Sequence, residues 1–270
     1  MTGTATAASE RSVGVGATAL RYRVQGGGGG EPLVLLHPWF GCVAFWDEVA
    51  ERITGRPVIV ADLYSLGEGD WRGVHGPPGI AAAVGALLDA EGIERCALAG
   101  NSTGGVAAQL FAIEHPERVA RLILIGTGAS TAGIPPGYRA EIEAWLADDP
   151  DGSRSAALVR RLLARDPEPA RMAAFVAAVA GANREYMART LEGVLALDLR
   201  ARLGAIAAPT LIIRGTLDAA RTPEHVETLL AGIAGSRAVE IPGAGHSPMV
   251  DSPDALVGLM ADFLDERPDR

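Results

Sequence analysis

Ser102 is the residue of this chain best placed to act as a nucleophile. It lies in the segment Gly100-Asn101-Ser102-Thr103-Gly104, a G-x-S-x-G pattern that follows a short apolar run and opens a helical pattern. A serine in such a strand-to-helix turn has a strained backbone, and its Oγ projects from the turn. The N–H groups at the start of the helix would favour a developing oxyanion. The alternative is an ordinary serine that caps a glycine-rich helix.

His246 is the candidate general base among the five histidines of the chain. A serine hydroxyl is a poor nucleophile at neutral pH, so it requires a base that accepts its proton. His246 lies in a loop, residues 242–248, between the last strand-like run and the last helical pattern. Such loops lie at the carboxyl ends of strands, where the sites of open α/β sheets form. A surface histidine in a loop is the alternative.

Asp218 is the candidate acid that would orient His246 and stabilise its charged form. It follows the next-to-last strand-like run, at the same edge of the expected sheet as His246. Asp251 and Asp254 are alternatives, but both lie at the start of the final helical pattern, where acidic residues commonly cap helices. The chain order of serine, aspartate and histidine therefore favours a catalytic triad of Ser102, Asp218 and His246.

Short apolar runs alternate with longer helical patterns, which predicts an α/β fold with a mostly parallel sheet and helices on both faces. Two antiparallel strands are predicted within residues 13–24, and a glycine-rich turn follows at residues 26–30. The other predicted strands lie at residues 33–36, 58–61, 96–99, 122–125, 211–213 and 239–241, which makes an eight-stranded sheet. The predicted core helices lie at residues 80–91, 104–115, 224–233 and 253–264.

Residues 130–203 interrupt this alternation, because they contain helical patterns and no strand-like run. They predict a helical cap inserted into a core of residues 1–129 and 204–270. Ordinary crossover helices are the alternative, although one crossover needs only about a dozen residues. The cap residues that would line a substrate pocket are apolar or aromatic, although such residues mostly pack within a cap: Tyr138, Trp145, Phe175 and Met187.

The composition argues against several classes of partner. The formal net charge of −9 disfavours nucleic acids and anionic membranes, because both require a positive surface. The sequence has no signal-peptide pattern and no apolar stretch of membrane-spanning length, and its two cysteines, Cys42 and Cys96, are too few for a disulfide framework. We therefore expect a cytoplasmic protein, and the many alanines, glycines and arginines indicate a bacterial genome.

The expected ligand is a small-molecule substrate. No cluster of histidines and cysteines has the spacing of a metal site. No glycine-rich dinucleotide or phosphate-binding pattern precedes a helix. We therefore expect no cofactor, and a homo-oligomer is compatible with the sequence.

Three of these segments, residues 100–105, 208–218 and 243–248, resemble the α/β-hydrolase superfamily, and the resemblance extends over nearly the whole chain. It implies the α/β-hydrolase fold and a serine-nucleophile enzyme with the triad described above. The segments are specific for the superfamily, but they do not specify a substrate, because one fold and one triad serve many reactions.

The resemblance also implies an oxyanion hole, whose backbone N–H donors would be those of Trp39 and Thr103. His37 and Phe40, in the same loop as Trp39, are further candidates for the substrate pocket. The family more commonly has glycine after the histidine, and Pro38 departs from that pattern. Because proline has no N–H, position 38 itself cannot be a donor.

The sequence therefore predicts a serine hydrolase that cleaves a carboxylic ester or lactone of a small apolar molecule through an acyl-enzyme on Ser102. Three alternatives stay open. The first is a carbon–carbon bond hydrolase of the diketone type, because residues 100–105 resemble the elbow of such enzymes. The second is a cofactor-free haloperoxidase-like enzyme, and the third is a receptor that binds its ligand without turnover.

Overall fold

A central sheet forms the core of the protein in the computed structural model, which describes residues 8–130 and 136–266. Its strands, in chain order, are β1 Ser9–Val15, β2 Thr18–Gly26, β3 Leu33–Leu36, β4 Pro57–Asp62, β5 Cys96–Asn101, β6 Val119–Ile125, β7 Thr210–Gly215 and β8 Arg237–Ile241. They are arranged in the order β1-β2-β4-β3-β5-β6-β7-β8. The predicted eight-stranded sheet is therefore confirmed.

Most of the sheet is parallel. β1 pairs antiparallel with β2, β2 pairs antiparallel with β4, and every other neighbouring pair is parallel. The central strands are buried along their whole length, as their continuous apolarity predicts. Several strands extend beyond the apolar runs of the sequence, because polar residues such as Thr210 and Arg214 also join the hydrogen-bond ladder.

Ten α-helices lie within the described residues. In chain order they are α1 Asp47–Arg52, α2 Gly76–Ala90, α3 Thr103–Glu114, α4 Pro136–Ala147, α5 Ser153–Arg160, α6 Pro169–Gly181, α7 Arg184–Ala196, α8 Pro223–Gly232, α9 Pro248–Asp251 and α10 Pro253–Asp265. α1, α2, α3 and α8 pack against strands of the sheet, while α2 also packs on α3 and α1 on α10. No helix among the described residues is long and apolar enough to span a membrane.

Four helices, α4 to α7, lie between β6 and β7. The chain leaves and re-enters the core at neighbouring points, because Ser130 forms a β-bridge with Asp198 and the N–H of Leu199 donates to the carbonyl oxygen of Ala129 at 2.7 Å. α5 packs against α4 and α6, and α7 packs against α2 of the core. The division of the chain into a core and a cap of residues 130–203 stays a prediction.

Candidate active site

Ser102 lies on a sharp turn between β5, which ends at Asn101, and α3, which begins at Thr103. Its backbone angles are φ 54° and ψ −115°, and within residues 8–130 and 136–266 no other residue except glycine has a positive φ. A non-glycine residue in this conformation stores strain, and such strain persists where the surrounding structure imposes it, often at functional sites. This is the geometry of a strand-to-helix turn that presents a serine hydroxyl to a site.

Two glycines permit this turn. A Cβ on Gly100 would lie 2.3 Å from the carbonyl oxygen of Gly104, and a Cβ on Gly104 would lie 2.6 Å from the carbonyl oxygen of Leu36. Both distances are shorter than a side chain can tolerate, so α3 approaches β5 and β3 only because these positions have no side chain. The approach brings the first turn of α3 next to the loop that follows β3.

His246 and Asp218 form a buried pair. The distance between His246 Nδ1 and Asp218 Oδ2 is 2.8 Å, and both side chains are almost completely buried. Because an ionised carboxylate only accepts hydrogen bonds, Nδ1 carries the proton and Nε2 is left with its lone pair. An imidazole in this tautomer can accept a proton from a serine hydroxyl at Nε2.

The Asp218 carboxylate is held ionised by its hydrogen bonds. Burial alone would raise its pKa, but His246 and the backbone N–H groups of Arg221 and Ala220 lower the pKa below its usual value. These two N–H groups donate to Oδ1 at 3.0 Å and 2.8 Å, which leaves Oδ2 for the imidazole. The carboxylate is therefore fixed in orientation before any substrate binds.

Asn101, which no sequence pattern singled out, links the serine turn to the histidine loop. Its Nδ2 donates to the carbonyl oxygens of Ile125 and His246, both at 2.9 Å, and its Oδ1 accepts from Ser247 Oγ at 2.8 Å. The side chain is fully buried. Its only signal in the sequence was its position beside Ser102, because no pattern indicates which distant segment a buried amide will contact.

Asp251 supports the histidine loop from its other side. Its carboxylate accepts from the N–H of Gly245 at 2.8 Å and from the N–H of Ala164 at 3.0 Å. Burial raises the pKa of Asp251 in spite of these bonds. Asp254, the other alternative acid, is exposed and pairs with Arg52. Among the three candidate acids, Asp218 is therefore the one hydrogen-bonded to His246.

The loop after β3 forms a tight turn next to the start of α3. The N–H of Gly41 donates to the carbonyl oxygen of Pro38 at 3.0 Å, so Trp39 is the second residue of the turn. Thr103 is the first residue of α3, and the first N–H groups of a helix have no acceptor within the helix. The two predicted oxyanion donors thus lie in adjoining segments, and their convergence on one oxyanion stays a prediction.

His37 stabilises this turn. Its Nδ1 lies 2.8 Å from the carbonyl oxygen of Pro38, and its Nε2 accepts from the N–H of Leu63 at 3.0 Å. Complete burial lowers the pKa of His37, which keeps the ring neutral. The hydroxyl of Tyr64 donates to the carbonyl oxygen of Trp39. These bonds fix the loop although Pro38 replaces the glycine that the family commonly has there.

Ser102 and His246 open onto one pocket of about 120 Å³. The other lining residues come from α4, from the end of α5 and from the loop after β7: Tyr138, Arg161, Leu162, Ala219, Ala220 and Arg221. Tyr138 is the one predicted cap residue in this set. Arg161, Leu162 and Arg221 were not among the predicted pocket residues, because no pattern in the sequence indicates that the end of α5 and the loop after Asp218 lie beside Ser102.

The other predicted pocket residues lie elsewhere. His37 and Met187 border a separate void of about 10 Å³. Phe40, Trp145 and Phe175 are fully buried. The ring of Phe40 packs edge-on against that of Trp145, with 5.3 Å between the ring centroids. The ring of Phe175 packs against that of Phe45, with 4.4 Å between the centroids. These three side chains attach the helices of residues 130–203 to the core.

The chain belongs to the α/β-hydrolase family, because residues 33–259 match the model of the alpha/beta hydrolase family. The matched residues include Ser102, Asp218 and His246 and the strands β3 to β8. The chain is therefore an enzyme of the α/β-hydrolase class.

Proteins similar to this chain include several different hydrolases. A 2-hydroxy-6-oxo-6-phenylhexa-2,4-dienoate hydrolase from Comamonas testosteroni is 30% identical over 267 residues, which cover 89% of this chain and 90% of that protein. A pimeloyl-[acyl-carrier protein] methyl ester esterase from Aeromonas hydrophila is 28% identical over 259 residues, which cover 88% and 96%. The crystal structure of the enol-lactonase from Burkholderia xenovorans LB400 superposes with a TM-score of 0.83 at 26% identity, and covers 95% of this chain and all of that one.

Proposed function

We propose that this protein is a serine hydrolase that cleaves a carboxylic ester or lactone of a small, largely apolar molecule through an acyl-enzyme on Ser102. One observation carries the proposal: a serine on a strained turn shares a pocket with a histidine whose other ring nitrogen is bonded to a buried carboxylate at 2.8 Å. The esterase and the enol-lactonase among the similar proteins support the choice of bond.

The reaction follows from the order of these groups. Ser102 Oγ attacks the carbonyl carbon while His246 Nε2 accepts the hydroxyl proton. The carbonyl oxygen becomes an oxyanion, and the N–H groups of Trp39 and Thr103 donate to it. The ester bond then breaks, and His246 returns the proton to the leaving alcohol. A water molecule attacks the acyl-enzyme with His246 again as the base, and the carboxylic acid leaves.

Asp218 contributes by fixing the imidazole and stabilising its charge. The imidazolium that forms during the attack is buried, so an unpaired charge there would be costly. The carboxylate already points at Nδ1 because two backbone N–H groups hold its other oxygen. Little reorganisation is therefore needed as the charge develops.

A carbon–carbon bond hydrolase is the second candidate. The segment of residues 100–105 resembles the elbow of enzymes that cleave ring-fission products. The relative from Comamonas testosteroni, at 30% identity, is named as a 2-hydroxy-6-oxo-6-phenylhexa-2,4-dienoate hydrolase. Hydrolysis of a vinylogous diketone, with no hydrolysis of methyl or aryl esters, would favour this candidate over the first. The reverse pattern would exclude it.

The first experiment is intact-protein mass spectrometry after treatment with a fluorophosphonate. We expect one adduct on the wild type, none on Ser102→Ala and slow labelling of His246→Ala. Ser153→Ala is the matched control, because Ser153 is an exposed serine at the start of α5 and should leave labelling unchanged. A folded wild type that takes up no adduct would contradict the proposal.

A further inference from the structure

Arg221 is a buried cation in the wall of the pocket that contains Ser102 and His246. Only 8% of the residue is exposed. Its Nε is buried without any hydrogen-bond partner, and its Nη1 donates to the carbonyl oxygen of the preceding residue, Ala220, at 2.9 Å. Within the part of the chain that the structure describes, Arg221 forms no ion pair.

The other buried arginines differ in this respect. Arg56 pairs with Asp265, and Arg214 pairs with Glu240. The carboxylate nearest in sequence to Arg221 is that of Asp218, but both of its oxygens are already occupied, by His246 and by backbone N–H groups. Burial lowers the pKa of Arg221, although the negative charge of Asp218 opposes this shift. A buried charge with free donors is costly unless a partner binds it.

The surroundings of Arg221 indicate what that partner is. The pocket is small and its remaining wall is mostly apolar, with Leu162 and Ala219 among its residues. A guanidinium binds carboxylates through two parallel N–H···O bonds, which suits a single anionic group in a pocket of about 120 Å³. The second arginine of the pocket, Arg161, is half-exposed and already paired with Glu141, so it is the less available of the two.

We propose that the substrate is an ester or lactone that also carries a carboxylate, and that Arg221 binds this carboxylate while Ser102 attacks the carbonyl. The inference rests on the proposed hydrolase function and names its substrate class. Because Arg221 and Ser102 line the same small pocket, the two functional groups of the substrate are separated by only a few bonds. Arg221 is thus a specificity-determining residue rather than a member of the triad.

The test compares pairs of substrates that carry either a carboxylate or a second methyl ester at one end of the same chain. The monomethyl and dimethyl esters of succinic, glutaric and adipic acid are hydrolysed at pH 8, and released methanol is measured. For at least one chain length we expect kcat/KM of the monoester to exceed that of the diester at least tenfold in the wild type. In Arg221→Gln this ratio should fall at least tenfold, and Arg221→Lys should retain part of it.

Arg160→Gln is the matched control. Arg160 precedes Arg161 at the end of α5, is exposed, pairs with Asp166 and does not line the pocket. We expect it to leave the ratio unchanged. A wild type that prefers the diester at every length would overturn the proposal. So would an Arg221→Gln variant that slows both esters equally, since that result would mean that Arg221 does not discriminate the charge of the substrate.

Binding provides a second measurement that does not depend on turnover. Calorimetric titration of Ser102→Ala protein with glutarate should show binding, and titration with the neutral diamide of glutaric acid should show at least tenfold weaker binding. The double variant Ser102→Ala/Arg221→Gln should lose this difference. Equal binding of both probes to Ser102→Ala would refute the carboxylate site. Absence of a fluorophosphonate adduct on the wild type would refute serine catalysis instead, so the two failures are distinguishable.

Discussion

Replacing Asp218 by asparagine tests the role of the buried carboxylate at almost constant shape. In the structure, Oδ1 accepts from two backbone N–H groups and Oδ2 contacts His246 Nδ1 at 2.8 Å. The amide of Asp218→Asn has one oxygen, and the two N–H groups will retain it. Its NH₂ group must then point at Nδ1, which forces the proton of the imidazole onto Nε2. That tautomer cannot accept the proton of Ser102.

The expected loss is large because both the charge and the tautomer are wrong. A comparable change in a serine protease triad lowers kcat about 10⁴-fold, which corresponds to about 5 kcal/mol of transition-state stabilisation. We expect a similar fall here, measured as kcat on an ester that the wild type hydrolyses and as the rate of fluorophosphonate labelling. Thermal unfolding should change little, because the residue volume and the backbone hydrogen bonds are preserved.

Asp254→Asn is the control for Asp218→Asn. Asp254 is exposed and pairs with Arg52, so we expect no change in kcat. A fall of less than tenfold in Asp218→Asn would refute the argument that this carboxylate sets the tautomer of His246. An equal fall in the control would show that the loss does not arise in the site.

Three further predictions concern the segments that support the site. Gly104→Ala should lower the free energy of unfolding in urea by about 1–3 kcal/mol, because its Cβ would lie 2.6 Å from the carbonyl oxygen of Leu36. The control is Gly258→Ala, whose Cβ meets no atom within 4 Å, so that variant should be neutral or stabilising. Equal effects of the two substitutions would contradict this account. Asn101→Ala should lower the free energy of unfolding by about 1–3 kcal/mol in the same assay and should also lower kcat, because it leaves the carbonyl oxygen of His246 and the hydroxyl of Ser247 without their buried partner. An unchanged free energy of unfolding would contradict the proposal that Asn101 anchors the histidine loop. Because burial raises the folded pKa of Asp251, the stability that this group contributes is greatest below its ordinary value of about 3.9 and is lost as pH rises through the raised pKa. The unfolding free energy of the wild type minus that of Asp251→Asn should therefore fall with rising pH in urea titrations, and a rise would contradict the direction of the shift.

The sheet and the approximate places of the three proposed triad residues could be predicted because they follow from local patterns. Continuous apolar runs indicate buried parallel strands, and the carboxyl ends of parallel strands meet at one edge of the sheet. Ser102, Asp218 and His246 each follow a strand of this sheet, so the loops that carry them lie close together. The strand ends were less predictable, because polar residues joined the hydrogen-bond ladder.

The supporting residues could not be predicted, because their contacts join segments that are distant in the sequence. Asn101 bonds to the segment of His246, 145 residues away, and Asp251 bonds to Ala164. No spacing rule describes such pairs. Arg221 was missed for a similar reason, since a single arginine in a loop indicates neither burial nor the lack of a carboxylate partner.

The bond between Asn101 and the backbone of His246 also has a consequence for folding. Contacts between residues so far apart in the sequence form late, because closing a long loop costs conformational entropy. We therefore expect the segments of Ser102 and His246 to be joined only after β8 and the loop that follows it have docked onto the sheet. Uptake of a fluorophosphonate during refolding would accordingly report the completion of the native topology, whereas circular dichroism would report the earlier formation of helices.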